Sequence, residues 1–279
     1  MSIRDQAQSL RERLSNLSNS SGNPYQNLAT EFLIERMLAR LLSDATLTKA
    51  LVFKGGYVGL RVYDSPRYTV DLDAIARNAD VRKILDRAKT VIESDLEDAV
   101  WFKFQEEVDL QTQGEYGGVR LTYRGGIGEP IKKVEKAQIL NFDLGIGDPV
   151  TPAPVKATTR TIFADEELSW FVYPVETIIA EKLHALVARR DANSRSKDVF
   201  DLAHYLPKAD PSKIKVALKA TFEFRSTPLP ENLVEDLRGI DLRVLRVGWA
   251  KAIASTKTTQ SCDEAFAAVL KILSEKLTR

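Results

Sequence analysis

Two aspartates that alternate along a predicted strand are the first residues in the chain that could bind a metal ion. Asp71 and Asp73 lie in YTVDLDAIA, where the period-2 alternation predicts a β-strand. Side chains on a strand alternate between faces, so both carboxylates point one way, and Val70, Leu72 and Ala74 point toward a core. Such oxygen ligands suit Mg²⁺, which favours carboxylates, water and substrate phosphates. The alternative is a solvated strand face.

A third aspartate lies on another apolar strand, predicted from AQILNFDLGIG. Asp143 stands between Phe142 and Leu144, where an unpaired carboxylate would be costly. If this strand neighbours the first, Asp143 joins the other two acids in one cluster. Three convergent acids can hold one or two divalent ions, which would activate a hydroxyl nucleophile and shield a transferring phosphate. The alternative is an edge strand on which Asp143 faces water.

A glycine pair precedes the first two acids. Gly55 and Gly56 follow a predicted strand, ALVFKGG, and precede a predicted short helix. Without side chains, their backbone N–H groups can approach a phosphate, and the helix N-terminus adds a favourable dipole. The spacing matches neither the P-loop nor the dinucleotide fingerprint. A tight turn is the simpler interpretation.

A lysine in the second half of the chain is a candidate phosphate ligand. Lys182 lies in PVETIIAEKLHALVARR, a predicted helix that Pro174 begins. The predicted buried stripe of this helix consists of Ile179, Leu183, Leu186 and Val187. Lys182 lies off that stripe, so it is either a surface lysine or a cation that faces a cleft and binds triphosphate.

The next predicted helix, in NSRSKDVFDL, carries two acids on one side. It begins at Ser194 or Ser196, and its apolar residues pack inward while Asp198 and Asp201 share the other side. An acid in the first turn of a helix often complements the helix dipole, so Asp198 alone does not indicate a site.

Composition excludes several classes of site. The chain has 279 residues and a formal net charge of +1, so no whole-protein field attracts nucleic acid or an acidic membrane. Its single cysteine, Cys262, excludes an intrachain disulfide, and two histidines, His184 and His204, make a histidine-rich metal site a poor candidate. With no signal sequence and no apolar run near 18 residues, we expect a cytoplasmic protein.

The elements that must position these residues predict an α+β fold. Helices and strands mix in the first half, including a predicted hairpin from VWFKFQEEVDLQT and VRLTYRGG, and helices dominate after Trp170. We expect an N-terminal helix and linker at 1–22, a mixed lobe at 23–160 and a helical lobe at 161–279.

These motifs together resemble a known family. FKGG…LRVY…PRYTVDLDAIA resembles the first two motifs of the AbiEii/AbiGii nucleotidyltransferase toxins, which belong to the DNA polymerase β-like nucleotidyltransferases. QILNFDLGIGDP is similar to the strand with the third acid of that superfamily. YPVETIIAEKLHALVARRDANSRSKDVFDLAHYL resembles the lysine-bearing helix and the K-D-x-x-D-L motif of the family. The resemblance spans residues 50 to 206.

The resemblance implies a nucleotidyltransferase-like mixed sheet flanked by helices, a helical C-terminal lobe and an active cleft between the lobes. It implies catalytic roles for Asp71, Asp73, Asp143, Lys182 and Asp198, and the first three would bind Mg²⁺ or Mn²⁺. The residues implied to bind nucleotide or phosphate are Gly55, Gly56, Tyr57, Arg67 and Lys182. Tyr57 stands where many nucleotidyltransferases have a small hydroxyl residue.

The resemblance also implies an activity: transfer of a nucleoside monophosphate from an NTP to an acceptor hydroxyl, with release of pyrophosphate. It implies a bacterial toxin of a toxin–antitoxin or phage-defence system, with a cognate antitoxin and with RNA, preferably tRNA, as acceptor. The candidate RNA-binding residues are Arg120, Arg124, Lys132, Lys133 and Lys136. Their alternative is a solvated hairpin and loop. The rival functions are transfer to a protein or small molecule, and a catalytically inactive binding or regulatory protein.

Overall fold

A computed structural model describes residues 1–77, 79–110, 117–147, 149–192 and 194–278. The chain divides into two compact units that are discontinuous in sequence. The first unit comprises Met1–Val58, Tyr68–Gly147 and Lys156–Val172, and the second comprises Gly59–Arg67, Asp148–Val155 and Tyr173–Arg279. The linear division of the chain at residues 160 and 161 stays a prediction.

The first unit is built on a mixed sheet, as the α+β prediction requires. Its strands are β1 Leu51–Lys54, β2 Asp71–Ala76, β3 Val100–Leu110, β4 Gly118–Ile127, β5 Gln138–Gly145, β6 Val155–Arg160 and β7 Glu167–Val172. Over the described residues the strand order is β3-β4-β5-β2-β1-β7-β6. Strand β2 pairs parallel with β5 and antiparallel with β1, and β1 pairs parallel with β7. This order places the two acid-bearing strands side by side.

One face of the central strands is apolar and buried. Leu72 and Ala74 of β2, and Phe142 and Leu144 of β5, have no exposed surface. Because neighbouring side chains alternate, the aspartates between them are held on the opposite face by the burial of these residues. Val70 precedes β2 and is 53% exposed, so its predicted inward orientation is wrong.

Helices cover the apolar side of the sheet in the first unit. They are α1 Ile3–Ser21, α2 Tyr25–Ser43, α3 Ala45–Ala50 and α5 Val81–Ile92, while α4 Gly55–Val62 follows β1 directly. Helix α2 contacts β2, β4 and β7. The fully buried Arg40 on α2 donates to both carboxylate oxygens of Asp98, each at 2.9 Å, and to the Val100 carbonyl at 2.7 Å. This pairing fixes α2 to the start of β3.

The second unit is helical, as predicted for the C-terminal part. Its helices are α6 Val175–Arg189, α7 Ser196–Tyr205, α8 Pro211–Phe224, α9 Leu233–Arg238, α10 Arg243–Ile253 and α11 Cys262–Leu277. Helix α6 packs against α7 and α8, and α7 packs against α10 and α11. The predicted buried stripe on α6 is confirmed at Ile179, Leu183 and Leu186, while Val187 is half-buried.

The predicted hairpin is confirmed as an antiparallel pair, β3 with β4, and residues 111–116 of its connection lie outside the described residues. The sequence VRKILDRAKTVIESDLEDA, residues 81–99, has a helical pattern throughout and predicts one helix, but the helix ends at Ile92. In the described part of the chain, no helix is long and apolar enough to span a membrane.

Candidate active site

Three aspartates meet on the polar face of the central strands, and we call Asp71, Asp73 and Asp143 the acidic cluster. Asp73 on β2 lies directly beside Asp143 on the parallel strand β5, and Asp71 lies beside Asn141. The predicted adjacency of the two strands is therefore confirmed. All three acids are only partly exposed, so their charges face one another in a setting where water screens them incompletely.

An arginine neutralises part of this cluster. Arg120 lies on β4, opposite Asp143 in the register of β4 and β5. Its Nε donates to Asp143 Oδ1 at 2.8 Å and its Nη2 donates to Asp143 Oδ2 at 2.7 Å, which is a bidentate pair. Asp71 Oδ2 lies 3.9 Å from the same Nη2. The hydrogen bonds to Asp143 raise the pKa of the Arg120 guanidinium, although partial burial opposes this.

An amide fixes the orientation of Asp71. Asn141 Nδ2 donates to Asp71 Oδ1 at 2.8 Å, across the β2–β5 pair. A hydrogen bond of this kind leaves the second carboxylate oxygen for another ligand. Asn141 is a positioning residue that the sequence patterns did not identify, because a neutral amide on a strand carries no signature of its own.

The glycine pair lies against the acidic cluster. Gly55 begins α4 with a φ of +75°, and a Cβ atom built on it would lie 2.7 Å from Asp73 Cγ and closer still to Asp73 Oδ2. The missing side chain thus makes room for the Asp73 carboxylate at the start of the helix. Whether Gly55 and Gly56 also bind a phosphate stays a prediction.

A second charged group lies within the second unit, and we call Lys182, Asp198, Asp201, Arg67 and Arg195 the lysine network. Lys182 Nζ donates to Asp198 Oδ1 and to Asp201 Oδ2, each at 2.8 Å. Arg67 makes a bidentate pair with Asp201, both distances being 3.0 Å, and Arg195 Nε lies 2.8 Å from Asp198 Oδ2. The two aspartates are 0% and 1% exposed.

The pKa shifts of Asp201 and Lys182 favour the ionised form of both groups. Burial alone would raise the pKa of Asp201, but Lys182 and Arg67 outweigh it and lower that pKa to about 2. Burial likewise opposes the charge of Lys182, yet Asp198 and Asp201 raise the pKa of the ammonium. Lys182, Arg67 and Arg195 thus surround the two buried carboxylates, Asp198 and Asp201, with positive charge.

Comparison with known families identifies the family of the chain that carries the acidic cluster and the lysine network. The family described as "Nucleotidyl transferase AbiEii toxin, Type IV TA system" matches residues 36–271. The chain belongs to the AbiEii toxin family. It is therefore a nucleotidyltransferase, and the resemblance of its motifs to this family is confirmed.

Two solved structures from Helicobacter pylori have the same fold as this AbiEii chain. JHP933 is 17% identical with a TM-score of 0.52, over 92% of this chain and 94% of that one. A putative nucleotidyltransferase is 17% identical with a TM-score of 0.54, over 91% of this chain and 96% of that one. The predicted nucleotidyltransferase-like fold is confirmed by these likenesses. A search among curated proteins found no match.

Within this AbiEii member, the other predicted site residues have distinct surroundings. Tyr57 is 1% exposed and packs against Trp170, with ring centroids 5.9 Å apart, so its ring is part of the core of the first unit. Arg67 binds Asp201 within the lysine network. Arg124 donates to the Ala137 carbonyl at 2.8 Å. Among the candidate RNA-binding residues, the three lysines are exposed: Lys132, Lys133 and Lys136.

The acidic cluster fits a divalent ion only in part. Among the described residues, no three acids, histidines or cysteines are already arranged to hold a metal ion. The donor set is nevertheless right in chemistry, since Asp71 and Asp73 offer carboxylate oxygens from one face of a strand. Asp143 is different, because both of its oxygens accept hydrogen bonds from Arg120.

Proposed function

We propose that this AbiEii toxin transfers a nucleoside monophosphate from an NTP to a hydroxyl group of RNA, with tRNA as the preferred acceptor, in a metal-dependent reaction. The observation that carries the proposal is the acidic cluster, in which Asp73 and Asp143 lie side by side on adjacent strands. Membership in a nucleotidyltransferase family supports a role for these carboxylates in holding a divalent ion for nucleotidyl transfer.

In this proposal Asp71 and Asp73 hold the divalent ion, Mg²⁺ or Mn²⁺, and Asn141 keeps Asp71 in place. A bound ion would shield the triphosphate charge and make the acceptor hydroxyl easier to deprotonate. The hydroxyl oxygen attacks the α-phosphorus. The bond between the α-phosphorus and the oxygen that bridges it to the β-phosphate breaks, and pyrophosphate leaves. Asp143 is the proposed acceptor of the hydroxyl proton, once it is free of Arg120.

The second charged group has a proposed part in the same reaction. Lys182 stabilises the charge that develops as pyrophosphate leaves, and Asp198 holds Lys182 through a 2.8 Å hydrogen bond. For the RNA backbone, the exposed Lys132, Lys133 and Lys136 support a local binding surface, since the net charge of +1 offers no general attraction.

The biological setting proposed is a type IV toxin–antitoxin system that limits growth, including growth during phage infection. The family description supports a toxin with an antitoxin partner. The acceptor, the metal and the role in phage defence belong to the proposal.

The test is incubation of the protein with each α-labelled NTP, total RNA and Mg²⁺. We expect label on RNA of tRNA size with the wild type, and none with Asp71→Asn or Asp73→Asn. Asp86→Asn, at a largely exposed acid on α5, is the matched control and should retain activity. Label on protein with none on RNA would reject the RNA acceptor. Equal labelling and equal growth inhibition by the wild type and both cluster variants would reject catalysis by these acids.

A further inference from the structure

Arg120 places a positive charge among the carboxylates of the acidic cluster, where a bound metal ion would also place one. Its guanidinium lies 2.7 and 2.8 Å from the two oxygens of Asp143 and 3.9 Å from Asp71 Oδ2. The sequence patterns suggested an RNA-binding residue at this position. The contacts instead point inward, to the carboxylates of the same sheet face.

We propose that Arg120 controls the ligand set of the metal site by competing with a divalent ion for Asp143. This inference rests on the metal-binding part of the proposed function. The bidentate pair occupies one acceptor site on each oxygen of Asp143 and places a positive charge beside both, so an ion that binds Asp143 must compete with the guanidinium for this carboxylate. Arg120 makes this bidentate pair with Asp143, whereas its Nη2 lies 3.9 Å from Asp71 Oδ2, so its competition with an ion would act chiefly at Asp143.

Charge gives the direction of the effect. The Arg120 side chain is 34% exposed and that of Asp143 is 13% exposed, so their attraction is only partly screened. A divalent ion placed among the same carboxylates would be repelled by the guanidinium and would lose one ligand to it. Removing the Arg120 charge therefore strengthens ion binding and adds Asp143 to the ligands.

The experiment is titration of the nucleotide-free protein with Mn²⁺, following free Mn²⁺ by electron paramagnetic resonance. We expect Arg120→Gln to bind Mn²⁺ about tenfold more tightly than the wild type, which corresponds to ~1.4 kcal/mol. Arg82→Gln is the matched control, because Arg82 also pairs with two acids, Asp86 and Glu107, outside the cluster. Its affinity should equal that of the wild type.

A double variant isolates the role of Asp143. If Asp143 is the ligand that Arg120 withholds, the gain seen with Arg120→Gln disappears in Arg120→Gln/Asp143→Asn. Equal or weaker Mn²⁺ binding by Arg120→Gln, or an unchanged gain in the double variant, overturns the inference. Circular dichroism checks folding, and Arg120→Lys, which keeps the charge without the fork, should bind with intermediate affinity if Arg120→Gln does not fold.

The titration needs neither NTP nor RNA, so it separates this inference from the proposed reaction. A tenfold gain together with no labelling of RNA supports the competition and rejects the acceptor. Mn²⁺ binding that Asp71→Asn and Asp73→Asn leave unchanged shows that the ion binds elsewhere, and it rejects both the metal site and the competition.

Discussion

Gly55 lies so close to the carboxyl group of Asp73 that no side chain fits between them. A Cβ atom at position 55 would lie 2.7 Å from Asp73 Cγ, and the backbone there has a φ of +75°. The first glycine of the motif is thus needed for the placement of a predicted metal ligand, independently of any phosphate.

Gly55→Ala should therefore reduce nucleotidyl transfer strongly, because the added methyl group displaces Asp73. The matched control is Gly22→Ala, since Gly22 has a similar φ of +73° but nothing within 4 Å of its Cβ position. Both variants should lose about 1–2 kcal/mol in free energy of unfolding from backbone strain. Transfer by Gly55→Ala equal to that of Gly22→Ala would contradict the role of this contact.

Asn141→Ala should raise the Mg²⁺ concentration needed for half-maximal transfer by roughly tenfold, as expected when a ligand loses the partner that orients it. The affected contact is the 2.8 Å hydrogen bond to Asp71. Gln138→Ala, at the start of the same strand, removes an amide that binds Gln26 and should leave this concentration unchanged. If Asn141→Ala changes the maximal rate alone, Asn141 does not act through the metal ligand.

The polar face of the sheet could largely be predicted from sequence, because period-2 alternation fixes which side chains share a face. Asp71 and Asp73 had to lie on the same face of their strand. Asp143 had to lie on the face opposite its two buried neighbours, Phe142 and Leu144. What the pattern could not provide was the partner of each acid. Arg120 and Asn141 come from other strands, and their pairing depends on register, which the sequence does not display.

The pairing of charges within the lysine network could not be predicted, for a related reason. A lysine and two aspartates on helices look like solvated surface, yet Asp198 and Asp201 are buried because cations neutralise them. Arg195 is three residues from Asp198, but Lys182 is 16 and 19 residues from the two acids and Arg67 is 134 residues from Asp201. The i, i+3 spacing of the two aspartates was the one available signal. Strand β6 was missed because it has no apolar face, its side chains alternating between exposed and half-buried along most of its length. Strand β7 was missed because only Trp170 and Val172, near its end, are buried.

Lys182→Met should lower the free energy of unfolding by about 3 kcal/mol or more, because it leaves the two buried aspartates without their shared cation. Urea titration measures this change. Lys219→Met, at an exposed position on α8, is the matched control and should stay within about 0.5 kcal/mol of the wild type. A loss below 1 kcal/mol for Lys182→Met would mean that Arg67 and Arg195 suffice to neutralise the pair.

Acid should weaken the fold through Asp201 in a defined pH range. The pKa of this carboxyl is about 2 in the folded protein, against an ordinary value of 3.8. A lowered pKa means that the folded state binds the proton less readily than the unfolded state, so the stabilisation is complete above pH 3.8 and is lost as pH falls to about 2. The difference corresponds to about 2 kcal/mol. Urea titrations between pH 5 and pH 2 measure how far the free energy of unfolding of each protein falls below its own value at pH 5. This fall should be smaller for Asp201→Asn than for the wild type, by about the amount given. Parallel declines for the two proteins would place the acid sensitivity in other carboxyl groups, such as Asp98, whose pKa is also lowered by Arg40 and Arg36 against the effect of burial.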